Sequence, residues 1–315
     1  MKHVFVVDPK VFRDQQWKMD GLVDSIGQYF RNQEKPDFSI LFSHYPRDAI
    51  GIIQKQVAQV EPFETTRVYA IGGDDILFDC LNGITELPGM ELAVSPHGDT
   101  NSFIRIFGEG KAELFKNIVS LAESDTVTTD IIKVGNNCAI NGCSIGANSA
   151  KAMKKREIRD RMGHGISRLF TGFWFFVNNV SSTFNKEIIA HHYHITIDDA
   201  DHSGNYSQIL VVNSPYFGRN KVALKGAAPD DGLLDVILFK SVGPFRTLRS
   251  IKRYFRGKIP SNCIRVQAKK IHLKSDTPMW IKTDSEFLRD TSMTFEVVPG
   301  GVQVVAVNNL TYQGI

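Results

Sequence analysis

A chain of 315 residues with 42% hydrophobic and 23% charged content can bury a large core, and its length favours two domains over one. The formal net charge of +3 is too small to mark the whole chain as a nucleic-acid binder, so any basic surface has to be local. Cys80, Cys138, Cys143 and Cys263 show no CxxC spacing or metal-ligand pattern, which predicts reduced thiols in a cytoplasmic protein. Met1 to Asp8 reads as a strand and not as a signal peptide, and no apolar stretch approaches the roughly 20 residues needed to span a bilayer.

In chain order, Val4 to Val7 predicts a first buried strand, ended by Asp8-Pro9. Trp17, Val23, Ile26 and Phe30 mark a helix face, Phe38 to Phe42 a second strand, and Ala49, Ile52, Ile53 and Val57 a second helix. The apolar run Val68 to Ile71 is broken by Gly72 and Gly73, after which Ile76, Leu77, Cys80, Leu81 and Ile84 recur at helical spacing. Leu92 to Val94 and the turn Ser95 to Asn101 follow. This alternation predicts a mainly parallel, doubly wound three-layer α/β domain, whose ligands lie at the carboxyl ends of the strands. Ser43, Gly72 to Asp75 and Gly98 to Asn101 fall on that edge. Two glycines allow a backbone to approach a bound group closely, and amides at a helix start favour an anion such as phosphate. Asp74 is placed to hold Mg²⁺ through water, whereas Asp75 puts a second carboxylate where phosphate oxygens would lie. The residues alone also leave open a tight strand-to-helix turn with Asp74 or Asp75 as N-cap.

After Thr129 the pattern changes. Ile131–Val134, Cys138–Asn141, His192–Ile197, Gln208–Val212, Leu234–Phe239, Ile264–Leu273, Met279–Thr283 and Thr294–Val298 read as β segments separated by turn residues, as in an antiparallel sandwich. Two basic helical insertions, Lys151–Phe176 and Phe245–Lys258, interrupt them. The expected division is an α/β nucleotide domain, residues 1–129 with the returning segment 301–315, and a β-sandwich substrate domain, 130–300.

The succession GGDDILFDCLNGI, PHGDTNSFIRIFG, DIIKVGNNCAINGCSIGANS, DDGLLDVILF and IKTDSEFL resembles the diacylglycerol kinase catalytic-domain family, which includes bacterial lipid kinases and sphingosine kinases, over nearly the whole chain. The resemblance implies an α/β nucleotide domain, a β-sandwich domain and an active site in the cleft between them. It implies Mg²⁺-dependent phosphoryl transfer from ATP to a lipid hydroxyl such as that of diacylglycerol. Gly72, Gly73 and Asp74 match the start of the family's GGDGT loop, Ser43 the hydroxyl residue that ends its second strand, and Gly98 and Asn101 parts of its PxGTxND loop; together they would bind the donor phosphates. Asp231 matches a carboxylate that holds Mg²⁺ with the main-chain carbonyls of Ala228 and Leu233. Glu286 matches the general base that takes the proton from the lipid hydroxyl, and Asp130 an acidic residue that helps position Mg²⁺ and phosphate.

The departures cluster at the donor site. Asp75 replaces a glycine, Ile76 a phosphate-binding hydroxyl, Asp99 a threonine, Ser102 an aspartate, Asp8 an asparagine and Ser285 the glycine of the family's DGE motif. At an effective dielectric of about 20, a carboxylate roughly 4 Å from a phosphate charge costs on the order of 4 kcal/mol, about three decades in affinity. Unless Asp75 and Asp99 recruit an extra Mg²⁺, this predicts a donor other than ATP, as in the pyrophosphate-using phosphofructokinases whose loop GGDD resembles, or a non-catalytic lipid- or nucleotide-binding member. A NAD kinase shares the GGD loop, but no nicotinamide motif of the GSTAY type is present. Lys151, Lys154, Lys155, Arg156, Arg159, Arg161 and Arg168 before Phe173 to Phe176, with a second basic-aromatic group around Phe245 and Tyr254, suit an anionic membrane surface, so peripheral association at the inner face of the membrane is expected beside a solvated-helix alternative. No nucleic-acid module is visible. A homo-oligomer is compatible with an enzyme of this kind, but no residue specifies one.

Overall fold

The computed structural model describes residues 1–33, 36–57, 64–98, 101–146, 149, 153, 191–217, 224–242, 246, 249–250, 253 and 259–313. The chain divides into two compact units, Met1–Asn141 with Asn213–Gly232 and Val297–Ile315, and Gly142–Val212 with Leu233–Glu296.

In the first unit, strand β1 (Lys2–Val7) pairs in parallel with β2 (Phe38–Phe42) and β3 (Thr66–Gly72), and β3 pairs in parallel with β4 (Met90–Pro96). The β-branched and aromatic run Val4 to Val7 is fully buried, as a central strand covered on both faces requires. Helices α1 (Gln16–Arg31), α2 (Asp48–Val57) and α3 (Asp74–Ile84) connect successive strands. Each turns an apolar stripe inward: Ile26 and Phe30 from α1, Ala49 and Ile53 from α2, and Ile76, Leu77, Cys80 and Leu81 from α3. A short helix α4 (Ile118–Glu123) leads into β5 (Thr126–Val134) and β6 (Asn137–Ala139). All of the predicted N-terminal elements are present, with ends one or two residues longer.

The second unit is antiparallel. It contains β7 (Gly142–Gly146), β8 (His191–Ile197), β9 (Ala200–Asp201), β10 (Gly204–Val212), β11 (Leu234–Lys240), β12 (Cys263–Ala268), β13 (Lys270–Thr283) and the first part of β14 (Glu286–Val305). Strand β10 lies between β7 and β11, β11 pairs with β12, and β13 pairs with β7, β8 and β14. The run Ile264–Leu273 was expected as one strand and is two. The Asp198 carboxylate accepts the amides of Lys269 (2.9 Å) and Lys270 (2.8 Å), which breaks the run between them. The small residues of Gly142–Gly146 hid a strand that is largely buried, while Thr294–Val298 and Val302 to Val305 of the returning segment belong to one long strand, which ends before Ala306 and Val307. The last part of that strand pairs in parallel with β4 through Gln303 and Val304.

Residues 130–141 and 213–232, beyond the division at 129/130 read from the sequence, cluster with the first unit. Polar contacts bind them there: Asn82 of α3 accepts the Cys138 amide (2.7 Å) and donates to the Cys138 carbonyl (2.9 Å), while the Asn213 carboxamide joins the two segments by donating to the carbonyls of Asp130 (2.7 Å) and Ile140 (3.1 Å). The basic insertion at 151–176 lies outside the described residues except for Met153, and of the second group Arg246, Arg249 and Arg253 are described and exposed. No helix among the described residues is long and apolar enough to cross a membrane.

Candidate functional site

At the carboxyl edge of the parallel strands, the loop after β3 and the loop after β4 are fastened to each other. The Gly72 carbonyl accepts the amides of His97 (2.8 Å) and Gly98 (3.0 Å). A Cβ on Gly98 would lie 2.6 Å from the Gly73 Cα, and one on Gly72 2.8 Å from Ile76 Cγ2. Loop-on-loop packing alone therefore demands Gly98, and the side chains of Ile76 and Asp8 crowd Gly72, whatever the two bind. Gly73 is the N-cap of α3 and Asp74 and Asp75 form its first turn, so neither aspartate is the cap. The Asp74 carboxylate accepts from the Ser102 amide (2.8 Å) and hydroxyl (2.9 Å). A hydroxyl at position 102 can donate to Asp74, where an aspartate would repel it. Asn101 closes its own loop, donating to the Gly98 carbonyl at 2.7 Å, and Ser43 donates to the Tyr45 carbonyl at 3.3 Å. Ile76 is buried under the loop as part of the core. Asp99 lies outside the described residues.

The electrostatics of this edge are acidic. Asp75 is exposed in the first turn of α3. Asp8, at the end of β1, caps the following turn by accepting from the Lys10 amide at 3.0 Å, and burial holds its carboxyl above the usual range with Asp75 adding to the effect. Asp79, one turn further along α3, is also pushed up by burial, against the opposing pull of Arg47, and Asp75 raises it too. Arg47 forms an ion pair with Asp79, donates its own backbone amide to the same carboxylate (3.1 Å) and lies 4.3 Å over the Phe78 ring. The Arg47–Asp79 pair was missed by the sequence reading; its signal was an aspartate inside the otherwise buried face FDCL.

Asp130 is buried, and each of its oxygens is held by an amide of its own unit, Oδ2 by Gly232 (2.6 Å) and Oδ1 by Gly300 (2.7 Å). Its backbone amide donates to the Pro229 carbonyl at 2.7 Å. Asp130 thus joins two distant turns, an architectural task that its expected role with Mg²⁺ and phosphate did not foresee. Asp231 is exposed in the first of these turns, beside a half-buried Ala228, and Leu233 follows at the start of the second unit. Burial, with Asp130 and Asp231 close by, raises the Asp230 carboxyl. Among the described residues no group of three or more His, Cys, Asp or Glu is arranged to hold a metal, so an ion at Asp231 would rely on main-chain carbonyls and water, which suits Mg²⁺.

In the second unit, Thr283 faces Glu286 across a two-residue hairpin loop, Asp284-Ser285, with Asp284 at φ 27°. Asp284 is buried and ties the hairpin to β7, accepting from the Gly142 amide (3.1 Å) and donating its own amide to the Gly142 carbonyl (2.9 Å). Glu286 is half-buried, and its Oε1 accepts the Phe287 amide at 3.0 Å. Asp284 is a positioning residue that the sequence reading passed over, although it stands first in DSE.

A parallel α/β unit with interlocked glycine loops, followed by an antiparallel β unit, defines the fold class of the NAD kinase and diacylglycerol kinase catalytic domains. Residues 13–134 match the model of the diacylglycerol kinase catalytic domain, and residues 182–306 that of the YegS C-terminal NAD kinase beta sandwich-like domain. The chain belongs to the diacylglycerol kinase catalytic-domain family. A protein of Staphylococcus aureus strain MRSA252 named "Putative lipid kinase" is 25% identical over 279 residues, covering 86% of this chain and 87% of its own. Two solved structures from Bacillus anthracis strain Sterne, each described as "a putative diacylglycerol kinase", superpose with TM-scores of 0.74 and 0.72 at 22% and 21% identity. They cover 98% of this chain and 96% and 98% of theirs, which establishes the fold.

Proposed function

We propose that this protein transfers a phosphoryl group from a Mg²⁺-bound donor to the hydroxyl of a lipid such as diacylglycerol. The observation that carries the reading is the interlocked loop pair, Gly72–Asp75 with Pro96–Gly98, at the carboxyl edge of a parallel sheet in a chain of this family. Phosphoryl transfer asks for positioning and charge stabilisation more than covalent chemistry, and a fixed glycine loop at a helix start supplies both. Glu286 is the group assigned to accept the proton of the lipid hydroxyl, with Asp284 holding its hairpin in place. Asp231, with the carbonyls of Ala228 and Leu233, would hold Mg²⁺, which when bound offsets phosphate charge.

A second reading concerns the donor. The exposed Asp75 carboxylate, whose field already raises Asp8 and Asp79, opposes the α-phosphate of ATP and favours pyrophosphate or another donor, or binding without turnover. Calorimetric titration with ATP, ADP and pyrophosphate, each with and without Mg²⁺, separates these readings. Micromolar Mg²⁺-dependent ATP binding supports the ATP kinase, pyrophosphate binding alone the altered donor, and no binding of any of the three the non-catalytic member. In Asp75→Gly with Ile76→Thr, ATP affinity should rise by up to about three decades; unchanged affinity refutes the role given to Asp75. For the acceptor side we infer peripheral contact with anionic membrane through the basic-aromatic segments, each Lys or Arg near the surface contributing about 1 kcal/mol. Absence of salt-sensitive sedimentation with anionic liposomes would remove that contact.

A further inference from the structure

The first unit carries a concavity, about 300 Å³ in volume, that shares Gly98 and Asn101 with the loop after β4 but is lined by none of Ser43, Gly72, Gly73, Asp74 or Asp75. Three separate segments converge on it: the start of α1 with Gln15 and Lys18, the loop after β4 with His97 and Asn101, and the turn 111–116 with Glu113 and Lys116. Its volume is at the small end of ligand sites and too small to enclose a nucleoside triphosphate, but ample for a phosphate with a few attached carbons.

The charge of the lining selects the ligand. Lys116 gives one N–H to Glu113 at 2.6 Å, which leaves two donors on its ammonium. Lys18 has no ion-pair partner among the described residues; its ammonium stands 5.4 Å from the Trp17 ring. His97 packs against Phe12 with ring centroids 5.1 Å apart and shares a hydrogen bond with the Ser95 hydroxyl at 3.1 Å. Burial lowers its pKa to about 4, with the positive field of Lys116 adding to the shift, Glu113 opposing it and Lys18 adding a smaller push, so the imidazole is neutral at pH 7. Both ammonium groups are thus felt at one wall of the pocket. Two lysines against Glu113 leave a net positive lining, and the Gln15 carboxamide, which makes no cap bond to its own helix, adds a neutral polar group at the mouth.

We propose that this pocket binds a phosphate group, either free or as a small monoester, between Lys18 and Lys116. Its occupant would bear on Pro96–Gly98, whose His97 and Gly98 amides hold the Gly72 carbonyl, and so would steady the donor loop. The inference rests on the lining alone and stands whether or not ATP is the donor.

The test is calorimetric titration of the full chain with inorganic phosphate and with glycerol 3-phosphate in chloride buffer, alongside NMR of the His97 ring. Saturable binding that shifts the His97 resonance is expected, with affinity reduced about tenfold or more in Lys18→Ala and in Lys116→Ala and largely restored in Lys18→Arg. Lys55→Ala, which removes an exposed charge of α2 outside this lining, should leave it within about twofold. Preference for the free ion identifies an inorganic phosphate site, and preference for the ester a phosphorylated small molecule. Both lysines lie at the protein surface, so thermal midpoints without phosphate should match wild type and exclude misfolding. No saturable binding, or binding indifferent to both lysine substitutions, overturns the proposal.

Discussion

The loop pair after β3 and β4 and the turn centred on Asp130 both hold residues that the family resemblance assigned to phosphate and Mg²⁺, yet the two regions are built differently. At the loop pair the retained glycines are steric necessities, Asp74 is occupied by Ser102, and the altered residue Asp75 is the one that faces solvent. At Asp130 the retained carboxylate is buried and its oxygens are held by amides from two turns. The difference teaches that a residue can match a family motif for architectural reasons, while the chemistry is decided by what remains exposed beside it.

The largest effect should come from Gly98→Ala. With backbone atoms of Gly73 2.6 Å and 2.8 Å from the added carbon, the loops must separate, and urea unfolding should show a loss of about 3 kcal/mol or more. A near-neutral result would break the claim that loop contact alone requires glycine. Asp130→Asn comes next. Its amide group would face a backbone N–H that now has a carboxylate oxygen, so about 2 kcal/mol should be lost in Mg²⁺-free buffer. If the loss appears only with Mg²⁺ present, Asp130 belongs with the metal and the contrast between the regions disappears.

The pH dependence sharpens the loop side. His97 has a folded pKa near 4 against an ordinary 6.5, so the unfolded chain binds more protons in that interval and this group's contribution to stability declines as pH falls from about 6.5 towards 4. His97→Gln should therefore gain stability relative to wild type over this window, with the difference levelling off below it, as followed by urea midpoints at successive pH values. Asp8 and Asp79, with pKa values raised above the ordinary carboxylate value, act in the opposite sense and are common to both chains, so they cancel in the comparison. Ile76→Thr should cost about 1–2 kcal/mol by placing a hydroxyl under the loop. The smallest stability effect belongs to Asp75→Asn, a few tenths of a kcal/mol from the lost charge at the start of α3. A stability loss there as large as that of Asp130→Asn would show that Asp75 is architectural too.

Hydrophobic periodicity made the α/β half legible almost element by element, because each strand and helix there carries a long apolar signature such as VFVV or ILFDCL. The β half was read more coarsely. Small residues concealed β7, a captured pair of amides at Lys269 and Lys270 divided one expected strand, and Pro299-Gly300-Gly301 failed to divide another. At the candidate site the identities of Gly72, Gly98, Asp75 and Glu286 could be picked out from motif and spacing. The partners of Asp74, Asp79, Asp130 and Asp284 could not, since each lies 28 or more positions away in the chain.

By itself, then, the sequence determined which segments of the α/β half are strands and helices, which family the chain belongs to and which donor-loop positions have changed, because these are properties of local pattern and residue identity. Only the tertiary structure decided that Ile76 is core, that Asp130 and Asp284 fasten turns, and that Lys18, His97 and Lys116 share one pocket. Those outcomes depend on hydrogen bonds, burial and fields between residues far apart in the chain, which no local spacing encodes.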